Sequence, residues 1–129
     1  MSRLRDFAVI RTTGRSYNQT GLVATIEHAK PHGGRAEEHF LPAGPFAVLP
    51  LPGNRSSLVW TEQPAEATRV AALSELELAV EVTKRIGHRL GAVSVVGGVR
   101  SFPLGLRLAR EMAKPRFCLI GDAAHAIHP

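Results

Sequence analysis

The chain has 129 residues, 44% hydrophobic and 21% charged, which suits one folded core and is too apolar for a disordered polypeptide. No apolar run approaches the ~20 residues that a bilayer-spanning helix needs, and Met1–Asp6 shows no apolar secretory segment. The net charge is +5 and 13 of the 16 cationic residues are arginine, but they are scattered from Arg3 to Arg116 beside only five Phe, one Tyr and one Trp. Nucleic-acid readers concentrate cations on one face, often with stacking aromatics, so that class is disfavoured.

In chain order, Tyr17–His28 reads as a strand through its β-branched Thr20, Val23, Thr25 and Ile26. A turn at Pro31–Gly34 separates it from a second strand, Ala36–Leu41. Phe46–Leu51 and Ser56–Thr61 form a hairpin around Pro52, Gly53, Asn54 and Arg55. Pro42, Pro45, Pro50 and Pro52 cannot donate to a ladder and belong at strand ends, edges or bulges. Pro64–Leu73 predicts a short helix with Pro64 in its first turn. Ser74 and Glu77 have capping-box spacing, and the helix they open should end at Gly91, with Leu76, Val80, Thr83, Ile86 or Gly87, and Leu90 on its apolar face. Ala92–Phe102 reads as a strand with a bulge or turn at Gly97-Gly98, and Pro103–Ala109 with Arg116–Ile120 as a final pair around Lys114-Pro115. Cys118, the single cysteine, allows no internal disulfide, fits a reducing compartment, and is expected to be buried among Phe117, Leu119 and Ile120. The expected fold class is α+β: a mixed, largely antiparallel sheet with helices on one face.

The most informative stretch is Gly121-Asp122-Ala123-Ala124-His125-Ala126-Ile127-His128-Pro129. After a short apolar strand, Gly121 permits a sharp turn or a close backbone approach to a ligand. Asp122 then stands at the strand's carboxyl end, where α/β sheets bind ligands. Three readings remain open on spacing alone. Asp122 caps a following helix; Asp122, His125 and His128 hold a metal, although no further ligand is evident; or Asp122 accepts hydrogen bonds from the hydroxyls of a sugar-bearing cofactor. Tyr17, His28, His32 and His39 are the available acid–base groups, and no nucleophile–base–acid set is evident.

Gly121-Asp122-Ala123-Ala124-His125, with Pro129 four residues on, resembles the GD motif of class A FAD-dependent monooxygenases. Further stretches resemble one branch, the ubiquinone-biosynthesis hydroxylases of the 2-polyprenyl-6-methoxyphenol-hydroxylase-like type. These are Tyr17-Asn18-Gln19, Arg35–Leu51, Ser57–Thr61 and Phe102-Pro103-Leu104, and their order and spacing run through most of the chain. Ser2 and Arg5 resemble the serine and arginine that end that family's DG motif, which contacts flavin and nicotinamide nucleotide. The family's G-x-G-x-x-G fingerprint and the Asp-Gly of the DG motif are absent from this sequence.

The resemblance implies an internal fragment of a p-hydroxybenzoate-hydroxylase-like enzyme. Residues 1–116 would belong to the middle, substrate-side domain, and 117–129 would re-enter an FAD-binding domain of Rossmann type that is mostly missing. It implies FAD as cofactor, held through Gly121, Asp122, Ala123, Pro129 and Arg5, and NAD(P)H as co-substrate of the parent enzyme. The implied substrate is a polyprenylated phenol, with Phe46, Leu49 and Trp60 on its side of the pocket. The implied setting is cytoplasmic, with a peripheral contact to the inner membrane or to a ubiquinone-biosynthesis complex. No activity is expected of the chain alone; the other readings left open are a different aromatic-ring flavin hydroxylase and a non-catalytic quinone- or lipid-binding module.

Overall fold

Two long strands, β1 (Thr12–His28) and β5 (Val93–Ala109), supply residues to both units into which the chain divides. One unit is Thr20–Phe102; the other is Met1–Gln19 with Pro103–Pro129, and the computed structural model describes residues 2–128.

The Thr20–Phe102 unit is an antiparallel sheet under two helices. To β1 it adds β2 (Glu37–Leu41), β3 (Gly44–Leu51) and β4 (Arg55–Glu62), in the order β2-β3-β4-β1-β5. Registers such as Leu22↔Trp60 and Phe46↔Trp60 place even-numbered residues of β1, β3 and β4 on one face, because strand side chains alternate with a period of two. Leu22, Ile26, Phe46, Val48, Leu58 and Trp60 are accordingly buried. Against them lie Ala67 and Val70 of α2 (Pro64–Ala71) and Leu78 and Val82 of α3 (Glu75–Ile86), in one core. Each fully buried Leu, Val or Phe contributes about 1.5–3 kcal/mol relative to exposure.

The helices start where the sequence directs. Pro64 occupies the first turn of α2. At α3 the Ser74 amide donates to Glu77 Oε2 at 2.9 Å and the Glu77 amide to Ser74 Oγ at 3.4 Å, a complete capping box. The end and the face of α3 require correction. The helix stops at Ile86, with Gly87 at φ +68 as its C-cap, and Gly91 at φ +74 belongs to the next turn. Leu78 and Val82 face the core, whereas Leu76 is 83% and Val80 55% exposed. The helix carries two apolar stripes at i, i+4 spacing, and the sheet takes the one that the period alone did not favour.

The other unit is built more sparingly. It holds α1 (Arg3–Phe7), the first part of β1, the last part of β5, the hairpin β6 (Ala113–Lys114) and β7 (Phe117–Cys118), a 3-10 turn at Gly121–Ala123, and β8 (His125–Ala126). Among the described residues, Ile10, Ala109, Leu119 and Ala124 form its buried cluster. Gly14 and Gly105 let β1 and β5 approach closely, since a Cβ at Gly14 would collide with the Leu106 carbonyl oxygen.

Here the expected final strand pair is not found. Pro103–Ala109 is the end of the continuous β5, whose Gly97 and Gly98 take positive φ without ending the strand. Its partner is β8, through Arg107↔Ala126 and Leu108↔His125, while Phe117–Cys118 pairs with Ala113–Lys114. The tight Pro115-Arg116 turn, with Arg116 at φ +62, closes that hairpin immediately and leaves its arms short. Cys118 is exposed, contrary to expectation, because Leu119 is the residue turned into the small cluster. Among the described residues no helix is long and apolar enough to cross a membrane.

Candidate functional site

Within this second unit, residues far apart in sequence converge. Ser2 caps α1, its Oγ accepting from the Arg5 amide at 3.3 Å. At the other end of α1, the Val9 amide donates to Asp6 O at 3.1 Å and the Ile10 amide to Arg5 O at 3.2 Å, the bond pattern of a Schellman cap. Val9 thus sits at φ +55, where glycine is the usual occupant. Held from both ends, α1 aims Arg5 inward. The residue is only 4% exposed, and its Nη1 donates to the Ala123 carbonyl at 3.3 Å. Nη2 lies 3.7 Å from Asp6 Oδ1, and the buried Nε has no partner among the described residues.

The Gly121–Ala123 turn that Arg5 grips begins with Gly121 at φ +55. Two bonds fix it: Ala124 N–H to Gly121 O at 2.9 Å, and Ala109 N–H to Ala124 O at 2.7 Å. Asp122 does not cap a helix; it lies inside the turn, exposed, and its carboxylate has no hydrogen-bond or ion-pair partner among the described residues. Ser2, Arg5, Arg107, Asp122, Ala123 and Ala126 line an open cleft of about 250 Å³.

Of the residues singled out from sequence, the fold therefore brings Arg5, Asp122 and Ala123 to one cleft, with Gly121 opening the turn. Pro129 lies outside the described residues. Arg107 was missed: it belongs to no motif, and its only signal is a cation between two leucines near the end of an exposed strand. His128 packs edge-on against Tyr17 at 5.4 Å. No group of three or more His, Cys, Asp or Glu side chains positioned to hold a metal is present among the described residues.

Phe46, Leu49 and Trp60 do not share a face. Phe46 and Trp60 meet edge-on at 5.3 Å in the core of the Thr20–Phe102 unit, where Trp60 is 2% exposed. Trp60 donates from Nε1 to Glu62 Oε1 at 3.0 Å and lies under the Arg85 guanidinium at 4.0 Å. Leu49, paired with Ser57, points to the opposite face and is 40% exposed. His28 is buried with its ring nitrogens 2.8 Å from Lys30 O and 3.1 Å from Ser56 Oγ, which gives it a structural place.

The cleft suits the polyol part of a cofactor. An unpaired carboxylate accepts from hydroxyls, and a turn with a left-handed glycine lets backbone and ligand approach. Comparison with known proteins identifies the family. Residues 5–129 match the family described as an FAD binding domain. The chain is 47% identical over 128 residues to ubiquinone hydroxylase UbiL of Rhodospirillum rubrum, covering 99% of this chain and 30% of that protein. It is 34% identical to 3-demethoxyubiquinol 3-hydroxylase of Escherichia coli, covering 99% of this chain and 32% of that protein. The chain thus spans about a third of the length of these curated relatives. Among solved structures, the myxobacterial FAD-dependent halogenase CndH superposes with a TM-score of 0.71 at 19% identity, over 93% of this chain and 30% of CndH. Aklavinone-11 hydroxylase, in its complex with FAD and aklavinone, gives 0.70 at 16% identity, over 96% of this chain and 24% of that one. The antiparallel sheet with few helices is therefore a fold shared with FAD-dependent enzymes, and the chain belongs to the FAD binding domain family.

Proposed function

We propose that this chain forms part of an FAD-dependent, NAD(P)H-using monooxygenase that hydroxylates a polyprenylated phenol in ubiquinone biosynthesis, and that the 129 residues alone do not turn over. The observation that carries the cofactor half is the convergence of Ser2 and Arg5 with Asp122 and Ala123 on one cleft. The names of the two relatives support the substrate half.

In this reading Asp122 accepts hydrogen bonds from the ribityl hydroxyls, and Gly121–Ala123 presents its backbone beside them. Arg5 holds the turn through Ala123 O. Bound FAD supplies the redox chemistry that couples NAD(P)H oxidation to insertion of one oxygen atom into the phenol ring. The protein's own contribution is orientation and exclusion of water. Residues 117–129 belong to the FAD-binding side and residues 1–116 to the substrate-side domain, with the Rossmann-type remainder of the cofactor domain supplied by the rest of the parent enzyme. On the substrate side Leu49 projects from the sheet face that the helices leave open, while Phe46 and Trp60 brace the strand from behind. A substrate with a polyprenyl tail resides in lipid, so a peripheral membrane contact goes with the proposal.

The test is turnover by the complete polypeptide, purified with FAD and given NAD(P)H, oxygen and a polyprenylated phenol. A hydroxylated product carrying one atom of ¹⁸O₂ is the expected result. Binding of the phenol without NAD(P)H oxidation or product would favour a non-catalytic quinone-binding module instead.

A further inference from the structure

Two charges in the cofactor cleft are left without partners, and they do not pair with each other. Asp122 and Arg107 both line it, yet no ion pair joins them within 4.0 Å and neither side chain has another partner among the described residues. Arg5, the cleft's other cation, is already committed to Ala123 O and lies beside Asp6. Arg107 is exposed, and its strand position is fixed by pairing with Ala126, next to the Gly121–Ala123 turn. A ligand that satisfies both charges must offer hydroxyl donors to a carboxylate and, a short distance away, anionic oxygens to a guanidinium. That is the chemistry of a polyol phosphate, and a guanidinium fork matches phosphate oxygens in geometry as well as charge.

We propose that Arg107 is a phosphate-binding residue of this cleft, taking the phosphate next to the sugar hydroxyls that Asp122 takes. The inference rests on the FAD reading above and adds a residue to it. The phosphate has two possible sources, the flavin nucleotide and the nicotinamide nucleotide, and the experiment separates them.

The complete polypeptide, stripped of flavin, is titrated with FAD, FMN and riboflavin by flavin fluorescence, and the FAD-loaded protein with NADH and NADPH. Arg107→Gln and Arg107→Lys are compared with the parent. Arg107→Gln is expected to weaken FAD and FMN about tenfold while leaving riboflavin within twofold, with Arg107→Lys recovering part of the loss. It should also flatten the salt dependence of FAD binding, since one cation–phosphate contact is gone. A loss confined to the nicotinamide nucleotides would support Arg107 as a phosphate residue and assign the phosphate to the reductant. Equal losses for riboflavin, FMN and FAD, or no loss in any arm, would overturn the proposal. Failure of the parent protein to bind any flavin would sink the FAD reading itself, and this inference with it.

Discussion

The two units of the chain are stabilised very differently. Thr20–Phe102 buries thirteen apolar residues from four strands, two helices and the turn between α3 and β5, whereas the unit carrying the cleft buries four. The second unit also leaves Leu4, Phe7, Val9, Ile120 and Ile127 exposed. Its order comes instead from hydrogen bonds at special places: the two caps of α1, the Arg5 grip on Ala123, and Lys114 Nζ donating to Ala8 O at 2.8 Å. The sheet is held by its apolar core, while the turns around the cleft are held by a few directional bonds and should open more readily. Binding elements are commonly drawn from the low-stability end of a fold.

The largest effect should follow from hollowing the stronger unit. Phe46→Ala removes a ring that is wholly buried against Trp60 and should cost about 3–5 kcal/mol in denaturant unfolding. Native-state hydrogen exchange should then show faster opening of Thr20–Phe102 amides. If only the amides around α1 and the Gly121 turn responded, the division into units would be broken.

Acid should act next, also on the helical side. Lys84 and Arg85 hold the Glu81 carboxyl down at about 2, against an ordinary 4.5. A carboxyl depressed on folding stabilises the folded state above its unfolded value, and that contribution is lost as pH falls from about 4.5 towards 2. Glu81→Gln should therefore cost about 1–2 kcal/mol at pH 7, after allowance for solvent screening, and nearly nothing at pH 2. A cost independent of pH would mean that the ion pairs do not carry it.

The smallest effect, and the one that sharpens the contrast, has the opposite sign. Val9 holds a left-handed backbone that a β-branched residue adopts with strain. Val9→Gly should stabilise the cleft-bearing unit by about 1 kcal/mol, read as slower exchange at the Val9 and Ile10 amides.

Much of this arrangement was legible in the sequence wherever a local rule governs. Ser74 and Glu77 gave the start of α3, the Pro52–Arg55 turn gave the β3–β4 hairpin, and Gly121 marked a sharp turn. What was missed depends on tertiary choice. α3 has apolar stripes at Leu76/Val80 and at Leu78/Val82, and only the sheet decides which is covered. Ala92–Phe102 reads as a strand that ends before Pro103, yet β5 runs on through Pro103 to Ala109. Arg107 becomes visible only when pairing with β8 sets it beside Asp122. The split of Leu49 from Phe46 was available in advance, since residues three apart on a strand face opposite ways.

If the cleft under Arg5 is the polyol site of FAD, as proposed, Asp122 is its acceptor. The direct measurement is FAD affinity of the complete polypeptide carrying Asp122→Asn, with its fold checked by circular dichroism. Binding at least about tenfold weaker is expected in a folded protein, as removing a charged acceptor from ligand hydroxyls implies. An unchanged affinity would contradict it and move the cofactor elsewhere.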